Sequence, residues 1–341
     1  MCLGFLSFYQ YEGYPVIILN NREEEESRPT KLLYEWENIK INNNENSIKI
    51  YGGRDQIGGG TWLAVNNKGK FCMLLNSYYR NEECFLAKSA SPNHGKMSRG
   101  TIVYDYLIDD DITPFNYIQR IEKQRNNYQP FKIIVGKINI KNNNEEKDDN
   151  DGSIAYYYNS HFIPPNFNDD GHIDENISTY PSLLKSIEKG TLFGISNFPN
   201  SCNTKRKIKG KDLLEKKLNS IFHKNHSNSN SSNKKEMKSI ILNENNENEL
   251  IDIMLLKTIE NEPPAPMEHI NTSSIFVPPY TSSFSNKIRS TVSTSLITFQ
   301  NINNNNNNNN NNDNTNNNNL LTFAQIDHIQ KKKNKIQQPI I

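Results

Sequence analysis

The chain is short of almost every feature that would place it by composition. It has four cysteines in 341 residues. None forms a C-x-x-C or C-x-x-C-H pair, so no redox dithiol or haem-attachment site is written into it. No His or Cys pair has zinc-ligand spacing, which argues against structural zinc. Cysteine usage this sparse suits a reducing compartment. Net charge is nearly absent as well: 39 Lys and Arg against 38 Asp and Glu leave +1. That balance gives no field to gather nucleic acid or an acidic bilayer. No apolar run reaches the length of about 18 residues that marks a membrane-crossing helix. The start has no basic n-region, because Arg22 is the first cation, and Ser7, Gln10 and Glu12 interrupt its apolar stretch. It is also poor in Arg and carries Glu12, which argues against a mitochondrial transit peptide. These absences predict a soluble, cytoplasmic protein with no integral membrane segment and no nucleic-acid partner.

Hydrophobic residues are scarce at 34%, but the deficit is local. It sits in asparagine-rich tracts at 41–47, 141–153 and 223–236 and in everything beyond 300, including the unbroken run Asn303 to Asn312. Such tracts bury nothing that would offset chain entropy, and their side-chain amides compete with backbone hydrogen bonds. They read as low-complexity inserts in one domain spanning 1–300, followed by a disordered Asn-rich and basic tail at 301–341. The KKKNK run at 331–335 reads as part of that solvated tail.

Between the tracts, patterned segments alternate. CLGFLSFY and PVIILN predict two strands joined around Glu12-Gly13. TWLAVN and KFCMLLN predict a hairpin turning on Asn67-Lys68-Gly69. FKIIVGKINI and IAYYYN predict a further pair, and TLFGISN and STVSTSLITF add strands. Ile102, Val103, Tyr106 and Leu107 share a helical face. Thr113-Pro114 is a cap followed by Phe115, Ile118 and Ile121. Leu213, Leu214 and Leu218 predict a third helix, and Leu250, Ile251, Met254 and Leu255 a fourth. Strands, then helices, then strands again make an α+β chain with mostly antiparallel sheet. Gly58-Gly59-Gly60 precedes a strand and opens no helix, so a dinucleotide-binding reading fails.

Cys2 raises the chemical question. Removal of Met1 would set a free α-amine beside the thiol, joining nucleophile and base on one residue. It is equally readable as a core residue of a short apolar strand. A nucleophile needs a cation to depress its pKa and amide donors for an oxyanion. PVIILN runs into Asn20, Asn21, Arg22, Glu23 and Glu24. A hairpin of the first two strands would bring Arg22 close to Cys2. Two later strands end at Asn76 and Asn197. Each of these residues also reads as an ordinary strand exit. His94, His161 and His172 lie in polar stretches and read as surface residues.

Taken in order, Met1-Cys2, Asn21-Arg22-Glu23-Glu24, Ser27-Arg28-Pro29, Gly59-Gly60-Thr61-Trp62-Leu63, Gly69-Lys70, Ser98-Arg99-Gly100, Gly194-Ile195-Ser196-Asn197 and Ile288-Arg289-Ser290-Thr291 resemble the transport and Golgi organisation 2 family, also called the NRDE family. The resemblance covers roughly residues 1 to 300. Glu23 stands where that family has Asp, and the Arg289 loop lacks the family's Asn. The resemblance implies an αββα four-layer sandwich of N-terminal-nucleophile hydrolase type. In that setting Cys2 is the nucleophile and its amine the base. Arg22 lowers the thiol pKa, Glu23 orients the amine, Asn76 and Asn197 line an oxyanion pocket, and Arg289 completes the charged cluster. The family's associations imply a cytosolic factor supporting Golgi organisation and secretory traffic, with Golgi or mitochondrial association and haem or lipid handling. In that role it needs no cofactor and no turnover, and it binds a small hydrophobic ligand, haem being one transported candidate. The alternative it implies is a cysteine amidohydrolase acting on a non-peptide C–N bond.

Overall fold

The computed structural model describes residues 2–36, 48–77, 96–139, 154–161, 181–197, 205–223, 242–256, 275–281, 287–302 and 318–340. The inserts at 41–47 and 141–153, the tract from 224 to 236 and the run Asn303 to Asn312 lie outside the described residues.

Fourteen strands among these residues form two sheets. In the first, β1 (Leu3–Tyr11) lies between β10 (Thr191–Ser196) and β2 (Tyr14–Glu25). It continues through β12 (Ile288–Ile302), β13 (Asn318–Asp327) and β14 (Lys332–Ile340), with β11 (Tyr280–Thr281) paired to β12. The second runs in chain order: β3 (Thr30–Glu35), β4 (Ile50–Asp55), β5 (Leu63–Asn66), β6 (Lys70–Asn76), β7 (Phe131–Lys137), β8 (Ile154–Asn159) and β9 (Leu183–Ser186). All strand pairs in both sheets are antiparallel.

The apolar runs explain the layering. In β2, Val16 and Ile18 join a core between the two sheets, while Ile17 and Leu19 join a second core on the opposite face. Both faces of the strand are covered, so PVIIL is continuous where a half-exposed strand would alternate. The cover on that side is α3 (Lys205–His223) and α4 (Glu244–Met254), through Leu214, Leu218, Leu250 and Met254. In β6, Phe71, Met73 and Leu75 face the first sheet, while Cys72 and Leu74 face α1 (Gly100–Ile108) and α2 (Pro114–Gln124). Helix, sheet, sheet, helix is the four-layer α+β sandwich that the resemblance implied. Each side chain buried in these cores contributes about 1.5–3 kcal/mol before chain entropy is counted.

Local chemistry sets the element ends. Thr113 caps α2 by accepting from the Asn116 amide at 3.2 Å, with Pro114 in the first turn. The buried face of α2 is Tyr117, Ile118 and Ile121, whereas Phe115, expected on it, is exposed. Gly69 closes the β5–β6 hairpin at φ 76°.

The expectation of a disordered tail from 301, and with it a domain ending at 300, is corrected. β13 pairs with β12 from Ser293↔Asp327 to Ile302↔Asn318, and β14 pairs with β13. In sequence the asparagine run therefore falls between two paired strands and not in a tail. Lengthening such a connection costs little, because closure entropy grows only with the logarithm of its length. The basic run lies on the β13–β14 turn and on β14, where Lys335 pairs with Glu247 at 2.8 Å.

Candidate active site

Cys2 sits one residue before β1. Leu3 opposes Asn21 on β2 and Ser196 on β10. Extending that register by one residue sets Cys2 in a row between Arg22 and Asn197. Directly opposed residues of an antiparallel sheet share a face. This row faces the space between the sheets, where Cys2 packs against the central core.

Arg22 is buried and strongly held. Its Nη1 donates to Thr30 Oγ1 at 2.9 Å and its Nη2 to Asp55 Oδ2 at 3.2 Å. The guanidinium carbon lies 4.3 Å from the centre of the Trp62 ring, a cation–π contact. Arg28 Nε reaches the same Asp55 oxygen at 2.6 Å. Burial works to raise the Asp55 carboxyl, but hydrogen bonds from Arg28 and the Gly58 amide, with the charges of Arg28 and Arg22, together hold it below the usual range.

Asn197 is buried, and its Nδ2 donates to the backbone oxygen of Asn76 at 2.6 Å. The two asparagines expected at an oxyanion pocket therefore meet at one end of the sheets. Arg289 is farther along. It opposes Glu25, three residues beyond Arg22, and its Nη2 lies 3.2 Å from Glu24 Oε1. Burial works to raise the Glu24 carboxyl, yet Arg289, Arg22 and Arg28 together hold it low.

Glu23 gains a partner that the sequence did not suggest. Strand alternation turns its side chain to the helix face, where its carboxylate takes two hydrogen bonds from Arg206 of α3, one of them 3.1 Å. Both side chains are almost wholly buried. The Glu23 carboxylate is thus shared between the helix layer and the neighbourhood of Cys2, whose thiol feels its charge. Burial pushes the Cys2 thiol above its ordinary value. The Glu23 charge adds to that, while the amino terminus, a hydrogen bond with the Glu23 backbone and Arg22 pull it down only in part. Arg22 is already neutralised by Asp55, which limits its pull. With Met1 in place the sulfur is a thiol at neutral pH, a weak nucleophile.

The motifs acquire physical reasons here. A Cβ on Gly60 would lie 2.2 Å from the Gly100 carbonyl carbon, so two backbones cross where Gly59-Gly60-Thr61-Trp62-Leu63 meets Ser98-Arg99-Gly100. That crossing seats Trp62 under Arg22. Asp55 and Arg206 carried no signal in the sequence, because each matters only through a partner distant in the chain. His161, read as a surface residue, is buried: the Ser160 hydroxyl lies 2.8 Å from its Nδ1. Burial first, then Arg125 and Lys96, push its pKa down to about 4. His94 and His172 lie outside the described residues. Among the described residues no group of three or more His, Cys, Asp or Glu could hold a metal ion, and no helix is long and apolar enough to cross a membrane.

The family model described as Transport and Golgi organisation 2 matches residues 1–334. The chain is 28% identical over 144 residues to the Transport and Golgi organization protein 2 homolog of Homo sapiens, covering 40% of this chain and 46% of that protein. It is 31% identical over 145 residues to Transport and Golgi organization protein 2 of Drosophila melanogaster, covering 39% and 45%. The chain thus spans about half the length of the curated relatives it matches. Among solved structures it is similar to penicillin V acylase from Agrobacterium tumefaciens, with TM-score 0.46, 10% identity and coverage of 99% of this chain and 86% of that one. It is also similar to a Caenorhabditis elegans N-acylethanolamine-hydrolyzing acid amidase ortholog, with TM-score 0.40, 11% identity and coverage of 86% and 92%. At these scores the likeness brings nothing to this chain's chemistry.

Proposed function

The chain belongs to the transport and Golgi organisation 2 family, and from that membership we propose that it supports Golgi organisation and secretory traffic by binding a small ligand between its sheets, without turnover. One observation carries the binding step. Asn20 Oδ1, Trp62 Nε1, Asn197 Oδ1 and Ser293 Oγ are buried with no hydrogen-bond partner among the described residues, and all four lie in or beside the Cys2–Arg22 row. Each such atom costs about 1–3 kcal/mol when left unpaired. Two acceptors, one donor and one hydroxyl, set among Leu6, Met73 and Leu75, suit a mostly apolar ligand with a few polar groups. Haem and lipids are the cargo classes of this reading. Its setting is the cytoplasm, with association to Golgi or mitochondria.

Haemin added to the full chain is expected to shift its Soret band and quench Trp62, and both changes are expected to survive Cys2→Ala. Absence of a shift with haemin, together with absence of quenching by a fluorescent fatty acid, overturns the reading.

The row Asn197–Cys2–Arg22 favours a second reading, a cysteine amidohydrolase acting on a non-peptide C–N bond. Removal of Met1 would give Cys2 an α-amine that accepts the thiol proton. The sulfur would attack the amide carbonyl, the amine product would leave carrying that proton, and water would then cleave the thioester. The intact mass of protein isolated from its own cells separates the readings. Retained Met1 eliminates this mechanism. A freed Cys2 amine, with amide turnover lost in Cys2→Ala, establishes it.

A further inference from the structure

The row that holds Cys2 continues past Arg22. Arg22 opposes Ser293 on β12, and Ser293 opposes Asp327 on β13. At a strand spacing of about 4.8 Å, Ser293 lies two strands, or ~10 Å, from Cys2. The register breaks between Thr291 and Ser293, and such a bulge re-aims the side chains beside it. A cleft of about 130 Å³ opens at this end of the row, between the turn after β2 and the turn after β13. Its lining includes Glu26, Arg28, Val292, Ser293, Asp327 and Gln330.

Ser293 is only 3% exposed, and among the described residues its Oγ has no partner. Asp327 is 6% exposed. Its Oδ1 accepts from the Ile329 and Gln330 amides at 2.8 and 2.7 Å, and among the described residues no cation pairs with it. Glu26 Oε1 accepts from Ser290 Oγ at 2.8 Å. Arg28 is the cation lining the cleft, and its charge is already opposed by Asp55 at 2.6 Å and Glu24 at 4.0 Å. Glu26 and Asp327 therefore leave the cleft negative. An unpaired, largely buried carboxylate beside an unpartnered buried hydroxyl calls for a positively charged group with several N–H donors. An alkylammonium has three.

We propose that this cleft binds the protonated primary amine of a small ligand, with Asp327 as its counter-ion and Ser293 Oγ as an acceptor. Val292 and Ile329 cover the carbon next to the nitrogen. The volume admits a head group of a few heavy atoms. Binding here is independent of whether Cys2 turns anything over.

The test titrates ethylammonium chloride into the full ¹⁵N-labelled chain, with potassium acetate at equal ionic strength as the probe of opposite charge. Saturable shifts of the Ser293, Asp327 and Gln330 amides are expected with ethylammonium and none with acetate. Asp327→Asn keeps Oδ1 for the turn and removes the charge, so affinity is expected to fall at least tenfold with the rest of the spectrum unchanged. Ser293→Ala, which touches no turn, is expected to weaken binding about threefold. Equal response to acetate, no response to ethylammonium, or unaltered affinity in Asp327→Asn overturns the proposal.

Discussion

Replacing Glu23 by Gln isolates the buried pair that Glu23 forms with Arg206. Glu23 and Arg206 are 2% and 1% exposed at their side chains. Arg206 Nη2 also donates to the Ile275 backbone oxygen at 3.0 Å, which ties α3 to the 275–277 segment and to β2. Glu23→Gln keeps the shape and removes the charge, leaving a guanidinium buried beside a neutral amide. Breaking one side of a buried pair costs about 3–5 kcal/mol. Against a total stability of about 5–15 kcal/mol, that is a large share. With a urea slope of about 3 kcal/mol/M, the midpoint falls by about 1–1.7 M. The assay is urea unfolding of the full chain followed by tryptophan fluorescence. The companion Glu23→Leu with Arg206→Met removes both charges and is expected to lose less than Glu23→Gln alone, because no ion is left uncompensated. A Glu23→Gln cost below about 1 kcal/mol, or a double variant no better than the single, would refute the reasoning. The same experiment separates roles: ligand binding that persists in the double variant shows that Glu23 acts on the fold and not on the Cys2 row.

Three further outcomes follow from the structure. His161 has a pKa of about 4 in the folded chain against 6.5 ordinarily, so between those values the unfolded chain takes up a proton that the folded one refuses. Stability therefore falls as pH drops from 6.5 to 4, by about 3 kcal/mol at most, and His161→Gln is expected to flatten that part of the stability–pH curve. Gly60→Ala forces a methyl onto the Gly100 backbone and is expected to cost about 3 kcal/mol, read as a lowered melting temperature; a neutral substitution would mean the crossing is looser than the structure places it. Replacing residues 303–317 by a four-residue turn shortens the β12–β13 loop and is expected to stabilise the chain by about 1 kcal/mol; a clear loss of stability would mean the tract contributes contacts of its own.

How much was legible depended on the range of the interaction. The strand run PVIIL, the Thr113-Pro114 cap and the apolar faces of four helices are written in neighbouring residues, so they were readable directly. The motif order from Met1-Cys2 to Arg289 also led to the family, and through it to four layers. Phe115 was misplaced because a helical face is wide and only packing chooses its centre. The last two strands were lost behind the asparagine run, since low complexity hides a hairpin whose register is set by residues on either side of it. The site was legible as residue types and illegible as contacts. Arg22 and Asn197 reach the row of Cys2 because hairpin register puts them there. Glu23, the next residue along, is carried to the opposite face by the two-residue period of the same strand. By itself the sequence determined which segments could bury apolar surface and which residues could carry charge near Cys2. Only the tertiary structure decided which carboxylate meets which cation, because Asp55 and Arg206 acquire their meaning from partners tens to hundreds of residues away, and no local pattern encodes that pairing.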